Sequence, residues 1–227
     1  MKKLNFPFFI NYINKLIYLI AFTGFSFAHA GSYDDFFKAV AQDNAIVVST
    51  LLKRGFDPNT VDASGTAGLL LAIKSNAMNV AVVIANWPQT KAEVRNAADE
   101  SPLMFAALKG ELALCQILIK KDADVNKPGW APLHYAATNG HLDVMNLLLE
   151  ENAYIDAASP NGTTPLMMAA HYSTEAAVKL LLDAGADPLL KNDQGLSALD
   201  FAHRGNHSAS ADIISAFVRN RQPKGSW

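Results

Sequence analysis

Apolar and polar positions along this chain follow a two-part rhythm that recurs at a nearly fixed interval. In "GWAPLHYAATNGHLDVMNLLLEENA", residues 129–153, a proline opens a helical pattern with Leu133 and Ala136. A short break follows, and then the triplet Leu147, Leu148 and Leu149. The same arrangement starts from six anchors, Asp35, Gly68, Pro102, Pro132, Pro165 and Ala198, separated by 33, 34, 30, 33 and 33 residues. One residue after each stands Phe36, Leu69, Leu103, Leu133, Leu166 or Leu199. Four after each stands an alanine, from Ala39 to Ala202. An apolar triplet, or most of one, follows at 50–52, 83–85, 117–119, 147–149, 180–182 and 213–215.

This spacing predicts two short helices per unit. Proline at the first turn loses nothing, because its missing N–H would have no partner there. Ser101, Thr164 and Ser197 precede their anchors as caps. The triplet marks the buried face of the second helix. Gly55, Asp122, Asn152 and Gly185 follow where the chain must leave it, and all are residue types that tolerate a left-handed backbone. Pro88 takes that place in the second unit, so an irregular turn is expected there. The step of 30 before Pro132 trims the loop at "NKPG", residues 126–129.

A helix pair of this kind cannot bury its own apolar face, and stacking supplies one continuous core. The expected fold is an all-α solenoid of about six units. Residues 31–65 form an N-terminal capping unit, 66–195 the central units, 196–221 a C-terminal capping unit and 222–227 a tail. Tyr33, Asp34, Lys38 and Gln42 give the first unit a wettable outer face. Asp200, Arg204, Ser208, Asp212 and Arg219 do so for the last.

Residues 1–30 stand apart. Lys2 and Lys3, an apolar run and Ala28-His29-Ala30 form the pattern of a secretory signal peptide. The expectation is cleavage before Gly31 and a periplasmic or secreted protein. Asn11, Asn14 and Lys15 shorten the apolar run relative to a membrane span of ~20 residues, and a retained anchor is the alternative. Loss of this segment would carry the net charge from −2 to −5. With no basic stripe, nucleic acid is excluded as a partner class. The single cysteine, Cys115, excludes an internal disulfide and a cysteine-based metal cluster.

The motifs "SPLMFAA" (101–107), "APLHYAATNGH" (131–141), "TPLMMAA" (164–170) and "GADP" (185–188), at a period near 33, resemble the ankyrin repeat family. Exported bacterial members have a similar layout, a signal peptide followed by a compact array. The resemblance implies a monomeric, non-enzymatic array that binds another protein through its loop tips and the concave face of its first helices. Bound cofactors and metals are not implied. The full Thr-Pro-Leu-His motif never occurs, because Ala131 stands where a threonine would bond His134.

Carried onto this register, the resemblance assigns the binding face. Glu100, Trp130, Thr163 and Leu196 fall at loop positions. Leu108, Lys109, Thr138, Asn139, His171 and Tyr172 fall on the first helices. Trp130 has two readings: an aromatic anchor forming one patch with His171, Tyr172 and Leu196, or a lid folded over Pro128. A rival function, a small-molecule or haem carrier in peroxide defence, would use His171 and Tyr172 as ligands. A secreted effector would share the fold. His203 and His207, four apart, would face one metal only if a single helix carried both. No G-x-S-x-G, P-loop or H-E-x-x-H occurs, so no enzyme is expected.

Overall fold

The computed structural model describes residues 31–221, so the expected signal peptide and the tail at 222–227 lie outside the described residues. Helices α1 (31–41) and α2 (Ala45–Lys53) form the first unit. Then come α3 (Gly68–Lys74) and α4 (Met78–Asn86), α5 (Pro102–Lys109) and α6 (Leu112–Ile119), and α7 (Pro132–Asn139) and α8 (Leu142–Glu150). The series ends with α9 (Pro165–Tyr172) and α10 (Glu175–Asp183), then α11 (Ala198–Arg204) and α12 (Ser208–Arg221). Among the described residues the only β-type pairing is one isolated bridge, Val61 to Ala67. No described helix is long and apolar enough to cross a membrane.

Five of the six first helices begin at the anchor residue itself. The oxygens of Ser101, Thr164 and Ser197 accept from the backbone N–H three residues on. The third helical residue reaches back to the cap N–H, through sulfur in Met104 and Met167 and through a carboxylate in Asp200. Gly55, Asp122, Asn152 and Gly185 all have positive φ at the ends of second helices. In the second unit α4 stops at Asn86, and Trp87 leads into a separate turn closed by the Thr90 hydroxyl on the Ile84 carbonyl at 2.6 Å.

First helices pack in one row, α3 on α5, α7, α9 and α11 in succession, and second helices pack in another, from α2 to α12. Between the rows runs one core. Leu103, Leu133 and Leu166 supply it from the first row, and Leu118, Leu148 and Leu181 from the second, all without solvent exposure. The alanines at the fourth position, Ala72, Ala106, Ala136, Ala169 and Ala202, are fully buried, and their small size lets adjacent first helices approach. Gly110 illustrates how close units come. It ends α5 at φ +73°, and a Cβ there would meet the ring of His141 at 2.5 Å. That ring in turn donates from Nε2 to the Leu108 carbonyl at 3.0 Å.

A further link was not expected from the register. Asn59 bonds the Gln89 carbonyl and the Lys91 N–H of the next unit, at 2.9 and 2.8 Å. Asn126 does the same to the Asn152 carbonyl and the Tyr154 N–H, both at 2.7 Å. Asp156 accepts from Asp187 N–H at 3.1 Å. These side chains occupy one repeat position and tie three of the loop bases to the next. Burial, with the charge of Asp187, pushes the Asp156 carboxyl above its usual range.

Candidate partner-binding face

The loops before α3, α5, α9 and α11 share one finger. Each closes with a backbone bond across four residues: Asp62 to Thr66, Asn96 to Glu100, Ser159 to Thr163, and Asn192 to Leu196. Each also has a residue of positive φ just before the closing position: Gly65, Asp99, Gly162 and Gly195. The finger before α7 is three residues shorter and turns at Gly129 instead, at φ +80°. Trp130 therefore stands where Thr66, Glu100, Thr163 and Leu196 stand, beside a notch in the row.

Beneath the notch lies a pocket of about 240 Å³, walled by Leu108, Trp130, His134, Tyr135, Thr138 and Met168. The walls come from three consecutive first helices, α5, α7 and α9, plus the short finger. Half-buried Trp130 packs edge-on to His134, with centroids 5.2 Å apart. Pro128 is exposed, so Trp130 is a pocket wall and not a lid over that proline. His134 is held from both sides: Nδ1 accepts from Ala131 N–H at 3.1 Å, and Nε2 donates to the Thr163 carbonyl at 3.0 Å. The imidazole thus takes the place of the missing threonine contact by binding the backbone. Burial lowers its pKa below the usual value.

The preceding loop fixes the short finger. Lys127, almost fully buried, pairs with Asp99 and donates to the Pro128 carbonyl. Arg95 bridges Glu93, Asp99 and Asp124, while Glu93 accepts from Asp124 N–H at 3.0 Å. The irregular loop of the second unit is thus bonded to the trimmed loop that carries Trp130.

The expected site residues divide. Leu108, Trp130 and Thr138 meet at the pocket. Lys109 is half-buried beside Leu108, with its ammonium 3.5 Å from Asn76. Asn139 is exposed and donates to the Leu108 carbonyl. Glu100 is half-buried, bonded to Asn96 and 3.6 Å from Lys74. Leu196 is half-buried at its finger. Thr163 is a correction. Its exposure is 2%, because its N–H and carbonyl close the finger and the carbonyl also receives His134. It presents no surface to a partner.

His171 and Tyr172 pair edge-on at 4.2 Å, and neither is a pocket wall. The expected single patch with Trp130 thus becomes two features. His171 gives its Nδ1 proton to the Phe201 carbonyl, and Tyr172 is 58% exposed. His203 lies in the last turn of α11 while His207 lies in the loop before α12, so the two do not share a helical face. Tyr135, Met168 and His134 were missed as wall residues. The signal for them is their position on the first helices, one turn from Thr138 or His171. Cys115 is fully buried, and burial, with the charge of Glu111, pushes its thiol up to about 12.

The family model for "Ankyrin repeats" matches this chain in three copies, at residues 36–127, 80–159 and 152–219. The chain belongs to the ankyrin repeat family, whose repeats are protein–protein interaction modules and generally not enzymes. Among curated proteins it is 30% identical over 143 residues to the rat "Ankyrin repeat and SAM domain-containing protein 6", covering 63% of this chain and 13% of that one. It is 25% identical over 181 residues to a "Putative ankyrin repeat-containing protein" of Treponema pallidum, covering 80% of this chain and 51% of the relative. The chain thus spans about half or less of these relatives' lengths. Solved structures match more completely. An ankyrin repeat domain from Acinetobacter baumannii superposes with a TM-score of 0.69 at 21% identity, over 81% of this chain and 97% of that one, which establishes the fold. A chain from the complex of a predatory endopeptidase of Bdellovibrio bacteriovorus with an immunity protein superposes with a TM-score of 0.70 at 26% identity, over 80% and 97%.

Proposed function

We propose that this protein is an exported, monomeric, non-enzymatic binding module that docks another protein through the concave side formed by its first helices and fingers. The apolar pocket under the notch at Trp130 carries the reading. A solenoid closes its core between helices, so the stack does not require an aromatic residue there. Trp at the centre of a surface with fixed backbone matches the composition of binding hot spots. The complex of a predatory endopeptidase with an immunity protein, one chain of which shares this fold, supports a protein partner. Export rests on the pattern at residues 1–30.

Two measurements test the proposal. Protein purified from its host should begin at Gly31 by intact mass, and soluble material retaining Met1 would overturn export. The mature protein should capture a partner from the exported fraction. Once identified and purified, that partner should bind Trp130→Ala at least tenfold more weakly, a change of about 1.4 kcal/mol. Equal affinity for the variant would refute this face as the docking surface.

A further inference from the structure

Resting on that reading, we infer that the notch and its pocket are a socket for one apolar side chain carried on a projecting, acidic loop of the partner. The volume sets the scale. At about 240 Å³ the pocket lies below the usual range for small-molecule sites of roughly 300–1,000 Å³, and it suits a single large side chain. The chemistry of the wall sets the character. Leu108 and Met168 are apolar, and Trp130 and Tyr135 add aromatic rings, each carrying a single polar atom. His134 uses both ring nitrogens on backbone groups. Thr138 gives its hydroxyl proton to the His134 carbonyl at 2.8 Å, within its own helix. A polar group entering here would give up its water for few partners, and burying an uncompensated polar group is costly.

Access sets the shape of the occupant. The trimmed finger leaves a gap between the fingers ending at Glu100 and Thr163, so a narrow projection enters where a flat surface would stop on the tips. The rim sets the charge. The last two positions of the first-helix register carry Lys74, Lys109 and Arg204 and no carboxylate in any unit. Lys109 adjoins the wall residue Leu108. Lys74 sits 4.9 Å above the Phe105 ring, which packs at 6.3 Å against the wall residue Tyr135. Arg204 is exposed on α11, further along the row. The nearby acids are already engaged, Glu100 by Lys74 and Asn96, and Asp99 by Lys127 and Arg95. Glu111, next after Gly110, stands at the N-cap of α6 and is half-buried. With Lys74 taken up by Glu100, Lys109 and the exposed Arg204 are the cations that this side offers, which favours carboxylates beside the apolar anchor.

Selection of a disulfide-closed random loop library on the whole mature protein tests this. Enriched loops should share one Leu, Phe, Met or Trp flanked by Asp or Glu. A synthetic loop of that kind should bind at least tenfold more weakly to Trp130→Ala, and equally so when its apolar residue is changed to Ser. Lys109→Glu, a substitution at the rim, should weaken it about threefold or more and reduce its salt dependence, with the thermal midpoint unchanged. Loops that need Trp130 but carry basic flanks, or no apolar residue, would overturn the socket while leaving the concave-face reading intact. Loops indifferent to Trp130→Ala, or no enrichment, would count against both, and the natural partner's affinity for the same variant then separates the two.

Discussion

His134 of one unit donates from Nε2 to the carbonyl of Thr163 in the next, at 3.0 Å, while its Nδ1 accepts from Ala131 N–H. Both contacts require the neutral ring with its proton on Nε2. A second proton would sit on Nδ1, facing an N–H that can only donate. Burial opposes the charge as well, which is why the folded pKa lies below the unfolded one. The folded state therefore binds fewer protons than the unfolded state below the unfolded value of about 6.5. The stability contributed by this ring is fully present above that pH. It falls as pH drops toward the folded pKa, by up to about 1.4 kcal/mol per unit. Thermal melts from pH 7.5 to 5 should show this loss, and His134→Gln should flatten it. An identical slope in the variant would assign the effect to other groups.

Leu148→Ala and Leu181→Ala should each cost ~2–5 kcal/mol, since both side chains are fully buried mid-triplet in the second-helix row. Denaturant unfolding measures this directly. Midpoints equal to the unsubstituted protein would mean that the packing between rows is not what holds the array.

Gly110→Ala should destabilise by at least ~1–2 kcal/mol, because an L-residue is strained in the left-handed region. The new Cβ also meets the His141 ring, which must surrender its bond to Leu108 or move. Pairing the change with His141→Ala separates the two contributions. The strain remains in the double variant and the clash does not.

Asn126→Ala removes the ties to Asn152 and Tyr154 in the next unit. The groups left behind are near solvent, so a loss of about 0.5–1.5 kcal/mol is expected for each bond that water does not replace. Hydrogen exchange should speed up at Tyr154 before it does so in α7 or α8. Uniform acceleration across both helices would show that the tie is global and not local.

Much of this architecture is legible because the repeat constrains the same few properties six times. Proline or a small residue opens each first helix, a large apolar residue follows it, and an alanine permits close approach. Five of the six first-helix starts and the four positive-φ exits at Gly55, Asp122, Asn152 and Gly185 fall where those residues stand. Site details depend on a single unit, and there the register misleads. Thr163 occupies a loop position that reads as exposed, yet its finger folds so that its carbonyl meets His134. Trp130 and Tyr172 stand in consecutive units on the same face, at a loop position and a first-helix position, yet only Trp130 enters the pocket wall. The Asn59, Asn126 and Asp156 ties recur at one repeat position and could have been found by looking for polar residues in register as well as apolar ones.

Trp130→Ala separates the roles of pocket wall and structural support. The ring touches His134 and lines the pocket, but the fully buried core between the helix rows lies elsewhere. Its removal should therefore lower the thermal midpoint only slightly, while binding of the partner weakens by ~2 kcal/mol or more, as for other aromatic anchors. Tyr172→Ala is the internal comparison. Tyr172 is exposed and packs on His171 outside the pocket, so its truncation should cost less affinity than that of Trp130. Calorimetry on the two variants with the same partner decides the matter. A large loss of stability at Trp130 with unchanged affinity would make the indole a support for His134 and the short finger. Equal losses of affinity at both positions would restore the single aromatic patch expected from the register and widen the docking surface toward α9 and α11.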